Sequence, residues 1–80
     1  MEAKELGAFI AQIRKENQMT QAQLAACLKV TDKAVSRWER GMGFPDIQTL
    51  EPLAEALGVT LTELMKCQKM QQQEVSVQDT

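Results

Sequence analysis

Between positions 31 and 40 the segment TDKAVSRWER places Lys33, Arg37 and Arg40 at steps of four and three, with Asp32 and Ser36 interleaved. On a helical period of 3.6 these five share one stripe, Val35 and Trp38 point the other way, and Ala34 sits at the seam. The chemistry of such a stripe is hydrogen bonding to an anionic, acceptor-rich surface. Lys33 and Arg37, one turn apart, can donate to the O6 and N7 acceptors of guanine, and Asp32 can accept from the N4 amino group of cytosine. Ser36 can bond a base edge or a phosphate, and Arg40 can meet the phosphate backbone. Thr31, immediately ahead of the stripe, is both a helix cap and a candidate contact. For Asp32 a second explanation stays open, because an acid in the first turn is also favoured by the helix dipole.

Charged stripes also occur on helices that merely face water, so the elements around this one decide its meaning. Thr20 with Gln23 three residues later forms a capping box that opens a helix from Gln21 to about Leu28, burying Leu24, Ala25 and Leu28. Thr31 caps the next helix, and Gly41 stands where a left-handed residue ends it. Two short helices joined by a tight turn make a helix-turn-helix, a unit that lays its second helix in the DNA major groove. Ahead of the unit, Leu6, Phe9, Ile10 and Ile13 mark one face of a helix from about Ala3 to Asn17. Behind it, Asp46 is expected to cap a helix through Ile47, Leu50, Leu53, Ala54 and Leu57, closed by Gly58. Thr60 and Glu63 make a second capping box for a helix carrying Leu61, Leu64 and Met65. Pro52 removes a backbone donor inside the fourth helix and predicts a kink or a 3₁₀ first turn near Glu51.

An 80-residue chain with 44% hydrophobic residues, two Phe, one Trp and no Tyr predicts one compact all-α domain over residues 1–66. Residues 67–80, CQKMQQQEVSVQDT, are polar and lack a stripe; they are expected to fray as a tail or to begin a linker. The chain has no histidine, and Cys27 and Cys67 are too far apart for a metal or redox motif, so neither a metal nor another cofactor is expected. Both thiols fit a reducing cytoplasm. Cys27 is expected as a small hydrophobe in the core or at the surface, and Cys67 as an idle tail thiol. No apolar run is long enough to cross a membrane, and the start does not resemble a secretory signal. Catalysis lacks a nucleophile beside a base, a glycine-rich phosphate loop and room for a small-molecule substrate. The net charge is −2, but residues 1–40 carry +2 and residues 41–80 carry −4. Such a one-sided field suits phosphate contact that salt weakens readily.

TQAQLA, VTDKAVSRWERG and PDIQTLEPLAEALGVTLTEL resemble the Cro/repressor-type regulators of bacteria and phages, the Xre family, over about residues 5 to 66. The resemblance implies a five-helix, lambda-repressor-like domain with its helix-turn-helix at the second and third helices, acting as a homodimer on double-stranded DNA. It also implies that Gln21 bonds a phosphate, where the simpler reading is a good helix former at the first position. It implies further that Arg14 and Glu39 pair, joining the first helix to the end of the third. Glu39 needs such a partner in any case, since an acid in a last turn faces the negative end of the dipole. One departure is Lys29, which stands where the family usually has Gly and must adopt a left-handed conformation or reshape the turn.

Trp38 on the inner face is expected as a core anchor beside Leu24 and Val35. Lys29 is expected to be solvated, with a backbone contact as the alternative. Leu61, Leu64, Met65 and Met70 either close the core or extend an apolar patch for a second subunit. Two function classes stay open, a sequence-specific DNA-binding regulator and a protein-interaction module of antitoxin or scaffold type; the identity of Lys33 and Arg37 favours the first.

Overall fold

The structure, a computed structural model, describes residues 2–70. Five helices follow one another: α1 Ala3–Glu16, α2 Gln21–Leu28, α3 Asp32–Glu39, α4 Ile47–Leu57 and α5 Leu61–Lys66. Among the described residues there is no strand. The start of each short helix is written locally. Thr20 Oγ1 accepts from the Gln23 N–H while the Gln23 side chain accepts from the Thr20 N–H, and Thr60 and Glu63 repeat the pattern. Thr31 Oγ1 accepts from the Ala34 N–H at 3.1 Å.

All five helices stop in the same way, with a residue of positive φ followed by a backbone bond reaching five residues back. Gly41 and Gly58 take that conformation without strain, whereas Gln18, Lys29 and Cys67 do so as non-glycine residues. Lys29 (φ 59°, ψ 41°) therefore keeps the family's turn rather than reshaping it, with the Val30 N–H donating to the Ala25 carbonyl at 3.0 Å.

Two local expectations are corrected in α4. Asp46 occupies the N-cap position but makes no side-chain cap bond. The Thr49 N–H is satisfied by the Asp46 carbonyl at 2.8 Å without help from the carboxylate. The expected 3₁₀ first turn near Glu51 does not form, since Ile47–Leu57 is α-helical from its start. The helix then runs uninterrupted through Pro52. Pro52 and Gln48, whose carbonyl loses its donor, both lie on the exposed side, where water can replace the missing partner.

Leu6, Phe9, Ile10 and Ile13 of α1 meet Leu24 and Ala25 of α2, Val35 and Trp38 of α3, Leu53, Ala54 and Leu57 of α4, Val59, and Leu64 of α5 in one core. Asn17 caps the bundle laterally, its side-chain amide donating to the Leu57 carbonyl at 2.9 Å. Leu64 is fully buried and closes the core, while Leu61, Met65 and Met70 stay exposed. The segment after α5 does not fray at once: the Gln68 N–H bonds the Glu63 carbonyl, the Met70 N–H bonds the Glu63 carboxylate at 2.7 Å, and Lys69 lies 3.6 Å from Glu16. The rest of the expected tail, 71–80, lies outside the described residues. No helix among them is long and apolar enough to cross a membrane.

Candidate nucleic-acid interface

The two faces of α3 separate completely. Val35 is fully buried and Trp38 nearly so, which makes Trp38 the core anchor expected of it. Thr31, Asp32, Lys33, Arg37 and Arg40 are exposed, and Ser36 is half-buried between them. The polar edge of the helix is therefore uncovered by any described part of the chain. Among the described residues the Lys33 ammonium has no hydrogen-bond or ion-pair partner. Arg37 Nη2 donates to the Met42 carbonyl and Arg40 Nε to the Ser36 carbonyl, both at 3.3 Å. Those are long, single, neutral-acceptor bonds that a phosphate or a guanine edge can outcompete.

Beneath this edge Arg14 and Glu39 form the ion pair. Arg14 Nε donates to Glu39 Oε2 at 2.6 Å and Nη2 to Oε1 at 3.1 Å, while Nη1 donates to the Met19 carbonyl at 2.7 Å. The two side chains are only 10% and 8% exposed, so little water intervenes. Burial alone pushes the Glu39 carboxyl up, but the hydrogen bonds from Arg14 and Gln21 outweigh it and hold it below the ordinary carboxylate range. Donating to the Glu39 carboxylate raises the Arg14 guanidinium in turn, so both partners stay charged at neutral pH.

Gln21 brings a contact that sequence reasoning missed. Its Nε2 donates to Glu39 Oε1 at 2.9 Å, which places the first side chain of α2 against the last side chain of α3. No local pattern signals a bond across eighteen positions. The available clue was that Glu39, with two oxygens at a dipole-disfavoured position, needed more than one donor. An amide nitrogen carries two hydrogens, so Gln21 retains one N–H for an outside acceptor. Lys29 is exposed in the turn, and Cys27 is exposed on α2 rather than in the core. Cys67 packs against the core, and burial pushes its thiol up.

A separate apolar feature lies on the described surface. Phe44, Pro45, Ile47, Leu50 and Met65 line an open groove of about 460 Å³. Ile47 is 83% exposed, and Phe44, Leu61 and Met65 are also largely uncovered.

The helix-turn-helix family model matches residues 10–64, more than half of the chain. Over 66 residues the chain is 33% identical to the HTH-type transcriptional activator BcrR of Enterococcus faecalis, an overlap of 82% of this chain and 32% of that protein. The chain thus spans about a third of that relative's length. It is 37% identical over 62 residues to the uncharacterized HTH-type transcriptional regulator y4dJ of Sinorhizobium fredii, covering 78% of this chain and 80% of that one. Among solved structures, the P22 c2 repressor in complex with a synthetic operator superposes with a TM-score of 0.71 at 32% identity, over 74% of this chain and 89% of the repressor. Capped helices, tight turn, buried inner face and these likenesses agree: the chain belongs to the helix-turn-helix family, in its Xre (Cro/repressor) branch.

Proposed function

We propose that the chain binds double-stranded DNA sequence-specifically as a transcriptional regulator, with α3 in the major groove. The observation that carries this reading is the uncovered edge of α3, where Lys33, Ser36 and Arg37 project from a helix whose opposite face is locked in the core. Lys33 and Arg37 serve as the base-edge donors, and Asp32 and Ser36 as shorter-range partners. Thr31, Arg40 and the free N–H of Gln21 hold the phosphates on either side, fixing register without sequence information. The likeness to an operator-bound repressor supports the same placement.

One α3 spans only a few base pairs, so useful affinity calls for two copies on a two-fold site. The exposed apolar residues Phe44, Ile47, Leu61 and Met65 are the surface available for a homodimer. Of these, Phe44, Ile47 and Met65 line one groove, and clustered apolar surface of that kind is what a second subunit covers. Cytoplasmic location follows from the role.

Selection of bound duplexes from a random pool at low ionic strength tests the reading. The expected product is a pair of inverted half-sites with centres about 34 Å apart, one turn of duplex. Retention of all sequences alike would reject sequence-specific recognition in favour of general phosphate binding, and retention of none would leave the protein-interaction class.

A further inference from the structure

Gly7 sits in the interior of α1, where glycine is a poor helix former, and its φ is not in the left-handed region that glycine serves elsewhere in this chain. The reason for it is space. A Cβ placed on Gly7 would lie 2.9 Å from the Glu39 carbonyl oxygen, 3.0 Å from the Glu39 carbonyl carbon, and closer still to the Trp38 carbonyl oxygen. All three atoms are backbone and cannot rotate aside. The last turn of α3 thus rests directly on the backbone of α1.

Arg14 lies seven residues further along α1, two turns on and on the same face, and grips the Glu39 carboxylate. The end of α3 is consequently held by α1 twice, at its carbonyls through Gly7 and at its side chain through Arg14. Gln21 adds the third hold from α2.

We infer that Gly7 is a positioning residue for operator recognition, setting through backbone contact the height and tilt at which α3 presents Lys33 and Arg37; this deepens, and rests on, the DNA-binding reading above. A methyl group at position 7 must move α3 by on the order of 1 Å to restore an ordinary C···O contact of about 3.3 Å. Bidentate base contacts tolerate only a few tenths of an ångström, whereas phosphate contacts from long side chains adapt. The signature of Gly7→Ala is therefore lost discrimination with retained general affinity.

The test uses the full chain and two duplexes, one selected by the wild-type chain from a random pool and one of the same composition with shuffled sequence. Binding is followed by fluorescence anisotropy well below the melting temperature, with Ala8→Ser on the exposed neighbouring position as control. The expected result is a tenfold to hundredfold loss for Gly7→Ala on the selected duplex, less than a threefold change on the shuffled one, and no change for the control. A folded Gly7→Ala chain with the wild-type ratio, or with equal losses on both duplexes, overturns the inference. Loss of helical circular dichroism overturns it too, because Gly7 would then serve folding rather than positioning. Failure of the wild-type chain to hold either duplex is a different result, and sinks the DNA-binding reading itself.

Discussion

Gln21 and Glu39, eighteen positions apart, share a 2.9 Å amide-to-carboxylate hydrogen bond that ties the first residue of α2 to the last residue of α3. The remaining oxygen of Glu39 takes Arg14 Nε at 2.6 Å, so one carboxylate joins three helices. The helix-turn-helix angle is thereby set by a group that does not lie on the uncovered edge.

Removing that carboxylate isolates a nearly buried guanidinium. Glu39→Ala is expected to lower stability by about 2 to 4 kcal/mol, since breaking one side of a buried pair leaves an unmatched charge. Thermal unfolding by circular dichroism checks it, with a fall of about 4 to 8 °C for each kcal/mol in a domain this small. DNA affinity should fall as well, although Glu39 touches no DNA. An unchanged melting temperature and affinity would contradict the role given to the pair.

The same group sets an acid limit. The Glu39 carboxyl is held below its ordinary range in the folded chain, so its contribution is fully present above the unfolded value of about 4.3 and is lost as pH falls through the lower folded value. Glu63, lowered by the backbone N–H donors of Thr60 and Met70, adds loss in the same direction. Stability measured by urea unfolding should be flat from pH 7 to about 5 and drop below about 4. Glu39→Gln should be less stable at pH 7 and show a shallower acid limb.

Lys29 holds a left-handed conformation that a side chain disfavours by about 1 kcal/mol. Lys29→Gly should therefore raise the melting temperature by roughly 4 to 8 °C, less whatever the freer unfolded chain removes. A drop would mean that the lysine side chain stabilises the turn.

Base and backbone contacts should separate in binding. Arg37→Ala is expected to weaken the preferred duplex by about 1 to 3 kcal/mol and blur its sequence, while Gln21→Ala weakens all duplexes alike. Gln21→Ala should also destabilise the fold slightly, because it removes a donor to Glu39. Equal losses on preferred and random DNA for Arg37→Ala would reject its base-contacting role.

Most of the architecture was legible because it is written in local signals. Caps at Thr20, Thr31 and Thr60 and the 3.6-residue spacing of Leu6, Phe9, Ile10 and Ile13 act over a few residues, and the helices begin where those signals stand. Asp46 misled because a cap-type residue at the N-cap position need not turn its side chain onto the helix; the Thr49 N–H rests on the Asp46 carbonyl alone. Pro52 misled because the carbonyl it orphans faces water. Contacts across helices were legible only in part. The charge at Glu39 demanded a partner and the resemblance supplied Arg14, but nothing local announced Gln21, Met19 or the close approach at Gly7. Those depend on how the helices pack, which spacing alone does not specify.

The most direct measurement is the amide NMR spectrum of the chain titrated with its selected duplex at low salt. The largest shifts should fall on Gln21, Thr31, Lys33, Ser36 and Arg37, with α5 affected only where two copies meet. Shifts confined to the groove around Phe44 and Met65, with the amides of α3 unmoved, would contradict major-groove recognition by α3.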